Sequence, residues 1–225
     1  MRHDLIMDHV RRLAPSRILE IGIGMGAMGT RLAAAAEYVG VEPDPDSRQA
    51  ARRVLPARTR LVTTVAEIGD EAFDLVCAFE VLEHIEDDAG ALRQWREHIT
   101  PAGHLLLSVP AHQERFGAWD TLAGHLRRYD PDDLEGLLEG EGFEVERLEQ
   151  TGFPLGYLLE GLRHRIAARE ASGASVAQRI SESGRQMQLS RGGFLTRTGS
   201  WPFRKLQRYF PDRGTGIVVL ASRST

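Results

Sequence analysis

The chain has 225 residues, a formal net charge of −4 at pH 7 and a sequence pI of about 6.1, and 42% of its residues are hydrophobic. This length is enough to bury one sizeable core, so we expect a single domain over residues 1–225. A single cysteine, Cys77, excludes an intramolecular disulfide, and no apolar run reaches the roughly 18 residues of a membrane-spanning helix.

The first predicted element is an amphipathic helix that leads into the domain. Four apolar residues recur there at helical spacing: Leu5, Ile6, Val10 and Leu13. The segment Met1 to Val10 also carries His, Asp and Arg, whereas a secretory leader has a continuous apolar stretch. Together with the lone cysteine, this favours a cytoplasmic protein.

A short apolar strand then runs directly into a glycine-rich loop. The residues read Ile18-Leu19-Glu20-Ile21-Gly22-Ile23-Gly24-Met25-Gly26, and an alanine-rich helix is predicted over Thr30–Ala36. A backbone without Cβ atoms lets a bound cofactor approach closely. A second apolar strand ends at Glu42, where a carboxylate could accept hydrogen bonds from the two hydroxyls of a ribose.

The glycine spacing fits two families of cofactor-binding enzymes. Gly24, Gly26 and Gly29 alone satisfy the dinucleotide fingerprint of nicotinamide dehydrogenases, which is a weak pattern. Glu20 distinguishes the two, because Glu-x-Gly-x-Gly-x-Gly resembles the first motif of class I S-adenosylmethionine-dependent methyltransferases. The resemblance implies that the cofactor is S-adenosylmethionine and that five residues contact it: Glu20, Gly22, Gly24, Gly26 and Glu42.

Later segments are similar to the same family in the expected order. Phe73–Ile85 resembles its fourth strand and following loop, which implies that Phe79 and Glu80 border the cofactor. Leu61–Glu67 is predicted as the third strand and its exit. A valine stands where relatives often carry an acid near the adenine, so the backbone N–H of Ala66 is the expected contact.

The remaining elements continue the alternation of strands and helices. They are a turn at Thr100–His104, a fifth strand at Leu105–Val109, a helix at Pro131–Gly140 with Asp130 as its N-cap, a sixth strand at Phe143–Leu148 and a last strand at Gly216–Ala221. This order predicts an α/β fold with a Rossmann-like, doubly wound sheet. The resemblance implies seven strands, mostly parallel, with the last strand antiparallel beside the sixth.

Polar residues crowd the segment after the fifth strand. Ligands of open α/β sheets bind beyond the carboxyl ends of the strands, so this segment should face the glycine loop. His125 is the first candidate for a general base, oriented by Asp120, because imidazole titrates near neutral pH, and His112 is the second. Tyr129 is expected to close the pocket or to hydrogen-bond the nucleophile.

Two arginines precede that tyrosine. Arg127 and Arg128 either clamp an anionic group of the substrate or pair with acids near the next helix: Asp130, Asp132 and Asp133. A similar Asp-x(4)-His-x-Arg-Arg-Tyr arrangement occurs in a subset of class I methyltransferases, many of which act on small molecules.

The loop after the fourth strand contains Glu80, Glu83 and His84. Carboxylates and imidazole bind metals, but these residues lack a closed ligand set of defined spacing, so no metal is predicted. Glu83 and His84 are instead expected to begin the next helix or, for His84 in particular, to touch the substrate.

Residues 152–214 separate the last two strands and are predicted to be an insertion within the domain, because ordinary sheet connections are much shorter. Apolar residues recur there at helical spacing: Leu155, Leu158, Leu159, Leu162 and Ile166. Ser172–Gly193 is rich in Ser, Gly and Arg, and aromatic and basic residues alternate over Trp201–Phe210. Three interpretations stay open: a lid over the substrate, a dimerisation element of a homodimer, or peripheral membrane contact through 155–210.

Charge is unevenly distributed along the chain. Residues 1–150 contain 16 basic and 28 acidic residues, a net charge of −12, whereas residues 151–225 contain 12 and 4, a net charge of +8. A basic end attracts anions, although an arginine bias throughout the chain and solvated arginines also explain it. The overall pI and the lack of a recognisable RNA-binding module disfavour nucleic acid.

These observations predict methyl transfer from S-adenosylmethionine, by in-line displacement, to a small-molecule acceptor that is anionic or lipid-like. The alternatives are a regulatory or scaffold protein that binds the cofactor without turnover, and an RNA methyltransferase.

Overall fold

The computed structural model describes residues 2–170, 209–210 and 212–224. The strands are β1 Arg17–Ile21, β2 Glu37–Val41, β3 Arg60–Val62, β4 Phe73–Phe79, β5 Ile99–Pro110, β6 Phe143–Gly152 and β7 Gly214–Arg223. They form one seven-stranded sheet in the order β3-β2-β1-β4-β5-β7-β6. β1 to β5 pair in parallel, and β7 runs antiparallel to both β5 and β6. The predicted fold class is confirmed, including the antiparallel last strand beside the sixth.

Helices connect these strands on both faces of the sheet. They are α1 Arg2–Leu13, α2 Gly29–Leu32, α3 Pro45–Val54, α4 Asp88–Glu97, α5 Ala118–Ala123, α6 Pro131–Gly140 and α7 Leu155–Glu170. The bounds of α6 match the prediction. Asp130 occupies its N-cap position in extended conformation, but its carboxylate accepts a hydrogen bond from the N–H of Gln113 and does not cap the helix.

β6 and β7 are longer than predicted, and three earlier elements also have boundaries that differ from the prediction. α2 ends at Leu32, and the alanines that follow form a turn in which the N–H of Ala36 bonds to the Leu32 carbonyl. β3 ends at Val62 and is followed by a 3₁₀ turn over Val65–Ile68, in which Glu67 takes part in a capping box. β5 begins at Ile99, which pairs with the start of β4, so the predicted Thr100–His104 turn is an irregular part of the strand.

The core lies on both faces of the sheet. Along β4, Leu75 and Cys77 face the cluster that includes Ile6 and Val10 of α1, while Val76 faces the cluster on the opposite face. Strands buried on both faces are typical of parallel sheets covered by helices. This arrangement brings the carboxyl ends of β1, β2, β4 and β5 to one edge, where the loops carry the candidate site.

The predicted insertion is described in part. Its helix α7 packs against α5, and the N–H of Trp119 bonds to Nδ1 of His164. Leu158 is 73% exposed with respect to the described residues, so these residues do not cover the whole predicted apolar face. Residues 171–208, which include Ser172–Gly193 and most of Trp201–Phe210, lie outside the described part of the chain. Within the described part, none of the helices is long and apolar enough to cross a membrane.

Candidate active site

The glycine loop joins β1 to α2 at the carboxyl edge of the sheet. Gly22 and Gly24 have left-handed backbone angles, with φ of +70° and +52°. A Cβ on Gly22 would lie 2.4 Å from Cγ2 of Val81, whereas a Cβ on Gly24 would meet none of the described atoms within 4 Å. Gly26 packs against α3, since its Cβ would lie 3.2 Å from that of Ala51. Gly24 therefore leaves open space over the loop backbone, and this space would let a cofactor approach the backbone closely.

Glu42, at the end of β2, is bonded directly to that loop. Its Oε2 accepts the N–H of Gly24 at 2.7 Å and its Oε1 accepts the N–H of Asp44 at 2.9 Å. Only 7% of the residue is exposed, so the carboxylate is held in one orientation at the carboxyl end of the strand. It lies where a ribose diol could donate hydrogen bonds to it.

Glu20 lies beneath the loop. It is 2% exposed, and its Oε2 accepts the hydroxyl hydrogen of Tyr38 at 2.6 Å. Burial raises the pKa of Glu20 to about 8 despite this hydrogen bond. The carboxyl group thus joins β1 to the Tyr38 side chain of β2, and its contact with a cofactor stays a prediction.

The other predicted cofactor residues lie at neighbouring strand ends. Ala66 is exposed in the turn after β3, and Phe79 is the half-buried last residue of β4. Glu80 has a positive φ of +57°, which is uncommon for a residue other than glycine. Its Oε1 accepts a hydrogen bond from Oγ of Ser108 at 3.1 Å and lies 2.7 Å from Nη1 of Arg2. These contacts hold the carboxylate at the edge of the sheet.

His125 and Asp120, predicted from the sequence as a general base and the acid that orients it, lie close together in the structure. Nδ1 of His125 lies 2.9 Å from Oδ1 of Asp120, and 11% of the imidazole is exposed. Burial opposes ionisation of Asp120, but hydrogen bonds from His125, Arg128 and the N–H of Gly117 outweigh it and hold the pKa of the carboxyl below its usual range. An ionised carboxylate accepts only, so Nδ1 of His125 donates to Asp120, and Nε2 is the ring nitrogen left to meet another group.

Arg128 lies behind this pair in a buried ionic network. Its Nε and Nη2 donate to the two oxygens of Asp120 at 2.8 and 2.7 Å, and Nη1 pairs with Oε1 of Glu160. Glu160, on α7, also pairs with Arg115. Because Arg128 is 6% exposed and committed to two carboxylates, it would contact a substrate only if these pairs opened. Its observed partners are also not the three acids considered from the sequence.

Arg127 and Tyr129 both hold Asp88 at the start of α4. Nη1 of Arg127 lies 2.5 Å from Oδ2 of Asp88, and the hydroxyl of Tyr129 lies 2.9 Å from the same oxygen. Tyr129 is buried in the core, and burial and the Asp88 hydrogen bond raise the pKa of its phenol far above the usual range. A catalytic role of Tyr129 and a substrate-binding role of Arg127 stay predictions. In the structure both side chains are bonded to Asp88.

His112, the second candidate base, lies apart from this group. Its Nε2 is 3.0 Å from Oε1 of Gln150 on β6, and its Nδ1 is 3.7 Å from Oδ1 of Asp130. Its φ of +66° is again uncommon for a residue other than glycine. Both ring nitrogens of His112 thus face Gln150 and Asp130, whereas Nε2 of His125 lies 3.9 Å from Oε1 of Glu83.

Glu83 and His84 form a 3₁₀ turn after β4, and the loop of His125 is bonded to it through the N–H of Leu126 and the carbonyl of Glu83. The rings of His84 and His125 meet edge to face with centroids 4.8 Å apart. Glu83 is fully buried, and neither carboxylate oxygen has a hydrogen-bond partner among the described residues. Burial, with the charge of Glu80 second, raises the pKa of Glu83 well above its usual range, and burial lowers that of His84.

Sequence reasoning missed Glu160 and the buried state of Glu83. Each is an acid inside an apolar stretch: Glu83 in Val81-Leu82-Glu83-His84-Ile85, and Glu160 among the leucines of α7. Buried acids usually have a charged or hydrogen-bonding partner, so an acid in such a stretch is the signal that could have indicated both.

Comparisons with known proteins find relatives in sequence and in fold. A family model described as a methyltransferase domain matches residues 1–148. A ubiquinone biosynthesis O-methyltransferase of Azorhizobium caulinodans is 36% identical over 161 residues, which cover 62% of this chain and 63% of that protein. The chain thus spans less than two thirds of the length of this curated relative.

Solved structures show the same fold. Phosphoethanolamine N-methyltransferase 2 of Haemonchus contortus, in complex with S-adenosyl-L-methionine, is similar with a TM-score of 0.61 and 19% identity, over 99% of this chain and 53% of that one. The [4+2]-cyclase SpnF is similar with a TM-score of 0.66 and 18% identity, over 100% of this chain and 81% of that one. At these identities the likeness concerns the fold alone.

Proposed function

The chain belongs to the methyltransferase domain family, and from this premise we propose that it is an enzyme that transfers a methyl group from S-adenosylmethionine to a small-molecule acceptor. When bound, S-adenosylmethionine supplies a methyl group on a positively charged sulfur. The observation that carries the proposal is the contact between Glu42 and the N–H of Gly24, because it joins a ribose-binding acid to an open glycine backbone.

The residues present fit this cofactor. Gly24 leaves room over the loop, and Glu42 offers two carboxylate oxygens that a ribose diol can reach in exchange for backbone N–H groups. Phe79 and Glu80 follow on β4, and Ala66 follows β3, so all of them lie at the carboxyl edge where such sheets bind ligands. We infer that these residues hold the cofactor and that Glu20 stabilises the loop beneath it.

The acceptor is expected to lie on the side of His125. With Nδ1 bonded to Asp120, Nε2 of His125 can accept a proton from a hydroxyl or amine of the acceptor. Arg128 pairs with both Asp120 and Glu160, and these ion pairs fix the position of the Asp120 carboxylate. Asp120 can therefore orient His125 without help from solvent. An oxygen acceptor is consistent with the name of the Azorhizobium relative, and an anionic or lipid-like acceptor is consistent with the net charge of +8 over residues 151–225.

We also infer that residues 1–225 form one domain into which 152–214 are inserted. The strand after the insertion, β7, lies between β5 and β6, so the sheet is complete only when the chain returns. Since α7 contributes Glu160 to the network behind His125, the insertion supports the acceptor side of the site. The interpretations of the insertion as a lid, a dimerisation element or a membrane contact stay predictions.

Two measurements on one preparation test the proposal. Calorimetry with S-adenosylhomocysteine and with NAD should show binding of the former alone, and Glu42→Gln should weaken that binding, since the amide replaces one oxygen acceptor by a donor. Metabolite extracts incubated with isotopically labelled methyl donor should yield a labelled product. Binding of NAD alone would contradict the cofactor assignment.

The role of His125 is tested by His125→Ala. If Nε2 removes the acceptor proton, methyl transfer falls by about 10²- to 10⁴-fold while S-adenosylhomocysteine binds as in the wild type. His164→Ala is the matched control, because His164 lies on α7 and bonds to the backbone of α5. Full cofactor binding without labelled product in any extract would instead support a regulatory or scaffold protein.

A further inference from the structure

Three side chains of the kinds that bind metals meet beside the proposed acceptor position. We propose that Glu83, His84 and His125 bind one divalent first-row transition-metal cation. Each offers one ligand atom, and these atoms lie within 4.8 Å of one another, with Nε2 of His125 3.9 Å from Oε1 of Glu83. Tetrahedral ligands at about 2.1 Å from a cation are about 3.4 Å apart, so side-chain shifts of roughly an ångström would close the site.

Both imidazoles are already oriented as metal ligands. Nδ1 of His84 lies 3.0 Å from the carbonyl oxygen of Gly124, and Nδ1 of His125 lies 2.9 Å from Asp120. Both partners are acceptors, so Nδ1 is the donating nitrogen of each ring and Nε2 is the nitrogen left to bind a cation. Such second contacts, a carbonyl or a carboxylate on the far nitrogen, are usual for histidines that bind metals.

Glu83 supplies an independent indication of a missing ligand. It is fully buried, and its two oxygens have no hydrogen-bond partner among the described residues. A buried anion without a partner is strongly unfavourable, and a protonated carboxyl would need an acceptor for its O–H, which the described residues do not provide. A cation between Glu83 and the two imidazoles satisfies the carboxylate.

The ligand types indicate which cation. Two imidazole nitrogens and one carboxylate oxygen suit zinc and related first-row metals and leave a coordination position open, whereas Mg²⁺ prefers oxygen ligands alone. A second group, His112, Glu114 and Asp130, is also close enough to share an ion. Its Glu114 is exposed, and it contains no buried carboxylate without a partner, so it serves here as a control.

The catalytic consequence rests on the proposed function. An open position on the cation would bind the acceptor oxygen and lower the pKa of its hydroxyl, so that the proton leaves to solvent before methyl transfer. In the metal-loaded protein His125 is then a ligand, and the cation takes the place of Nε2 of His125 as the group that promotes loss of the acceptor proton. The metal site thus gives Glu83 a role as a ligand, whereas a mechanism with His125 as the base gives Glu83 no role.

The binding test uses the full chain, stripped with a chelator and dialysed against Zn²⁺. Mass spectrometry of the metal content should find about one zinc per chain, and calorimetry should show Zn²⁺ binding tighter than Mg²⁺ binding. Glu83→Gln, which keeps size and shape, should weaken Zn²⁺ binding by about 100-fold or more, whereas Glu114→Gln should leave it unchanged. Absence of zinc uptake by the wild type, or equal uptake by Glu83→Gln, would overturn the site.

Binding of S-adenosylhomocysteine by the same samples separates this proposal from the proposed function. Zinc uptake without cofactor binding supports the metal site and contradicts the methyltransferase, and the reverse result contradicts the metal site alone. Cofactor binding by Glu83→Gln also shows that this variant is folded. For the catalytic role, label transfer should be lost after chelation and return with Zn²⁺, and transfer that is unaffected by chelation would contradict that role.

Discussion

The two sides of the site are built by different means. On the cofactor side, one stretch of the chain from Glu20 to Glu42 forms the pocket edge, and backbone groups supply most of its contacts. On the acceptor side, buried acids and an arginine from separate segments form the site: Glu83, Asp120, Arg128 and Glu160. The first side depends on local backbone conformation, and the second on long-range ion pairs.

This difference determines which property a substitution on each side of the site should impair, stability or binding. A change in the glycine loop alters the shape of a backbone surface and leaves no charge unpaired. A change in the ionic network leaves a buried charge without a partner, which costs far more free energy than a surface pair contributes. We therefore expect acceptor-side variants to lose stability first, and cofactor-side variants to lose binding first.

The largest expected effect is that of Arg128→Met. It removes the partner of both Asp120 and Glu160 from a site in which the guanidinium is 4% exposed, so the free energy of unfolding should fall by about 3–5 kcal/mol. Urea unfolding followed by circular dichroism measures the change. Arg127→Met is the matched control: its side chain is 30% exposed, forms an ion pair with one described carboxylate, Asp88, and donates to the Glu86 carbonyl, so the loss should be about 1 kcal/mol. Equal losses would contradict the comparison.

The same difference explains what the sequence could predict. Strand and helix order, the glycine loop and Glu42 follow from patterns within about twenty residues, and the fold class was confirmed. The pair His125 and Asp120 is also local, five residues apart, and the structure brings it together. Glu160 lies 32 residues from Arg128, and Glu83 lies 42 residues from His125, so no spacing rule joins them. Their proximity depends on how α7 and the loop after β5 pack.

The cofactor side, which is otherwise described by its backbone, contains one buried acid, Glu20. A substitution of Glu20 therefore tests this side of the site. Its pKa is about 8 in the folded protein because of burial, above the ordinary value near 4.5. As pH rises from about 4.5 to 8, the unfolded chain releases this proton and the folded chain keeps it, so the folded state loses stability, and the loss ends above pH 8. Glu20→Gln removes this dependence, and its oxygen can still accept from Tyr38.

The unfolding free energy of Glu20→Gln relative to the wild type should therefore rise by about 3 kcal/mol between pH 5 and pH 8. Urea unfolding at several pH values measures it. The exposed Glu139→Gln should show no comparable trend over this range. A flat difference for Glu20→Gln would mean that Glu20 is ionised in the folded protein, and the cofactor side would then also contain a buried charge.

Gly24→Ala is expected to cost less stability than Arg128→Met and to have the most specific effect on binding. The methyl group enters open space, so the cost is the left-handed backbone of a residue with a Cβ, roughly 1–2 kcal/mol. The same methyl group occupies the surface proposed for the cofactor, so the Kd for S-adenosylhomocysteine should rise by about tenfold or more, as calorimetry would show.

Gly22→Ala is the matched control for Gly24→Ala. It carries the same backbone penalty at φ of +70°, but its Cβ would lie 2.4 Å from Val81 inside the protein, so its loss of stability should exceed that of Gly24→Ala. If Gly24→Ala bound S-adenosylhomocysteine as the wild type does while remaining folded, the open space over Gly24 would not be the cofactor surface. Backbone shape would then stabilise the loop without forming the binding site, and the contrast between the two sides would rest on the ion pairs alone.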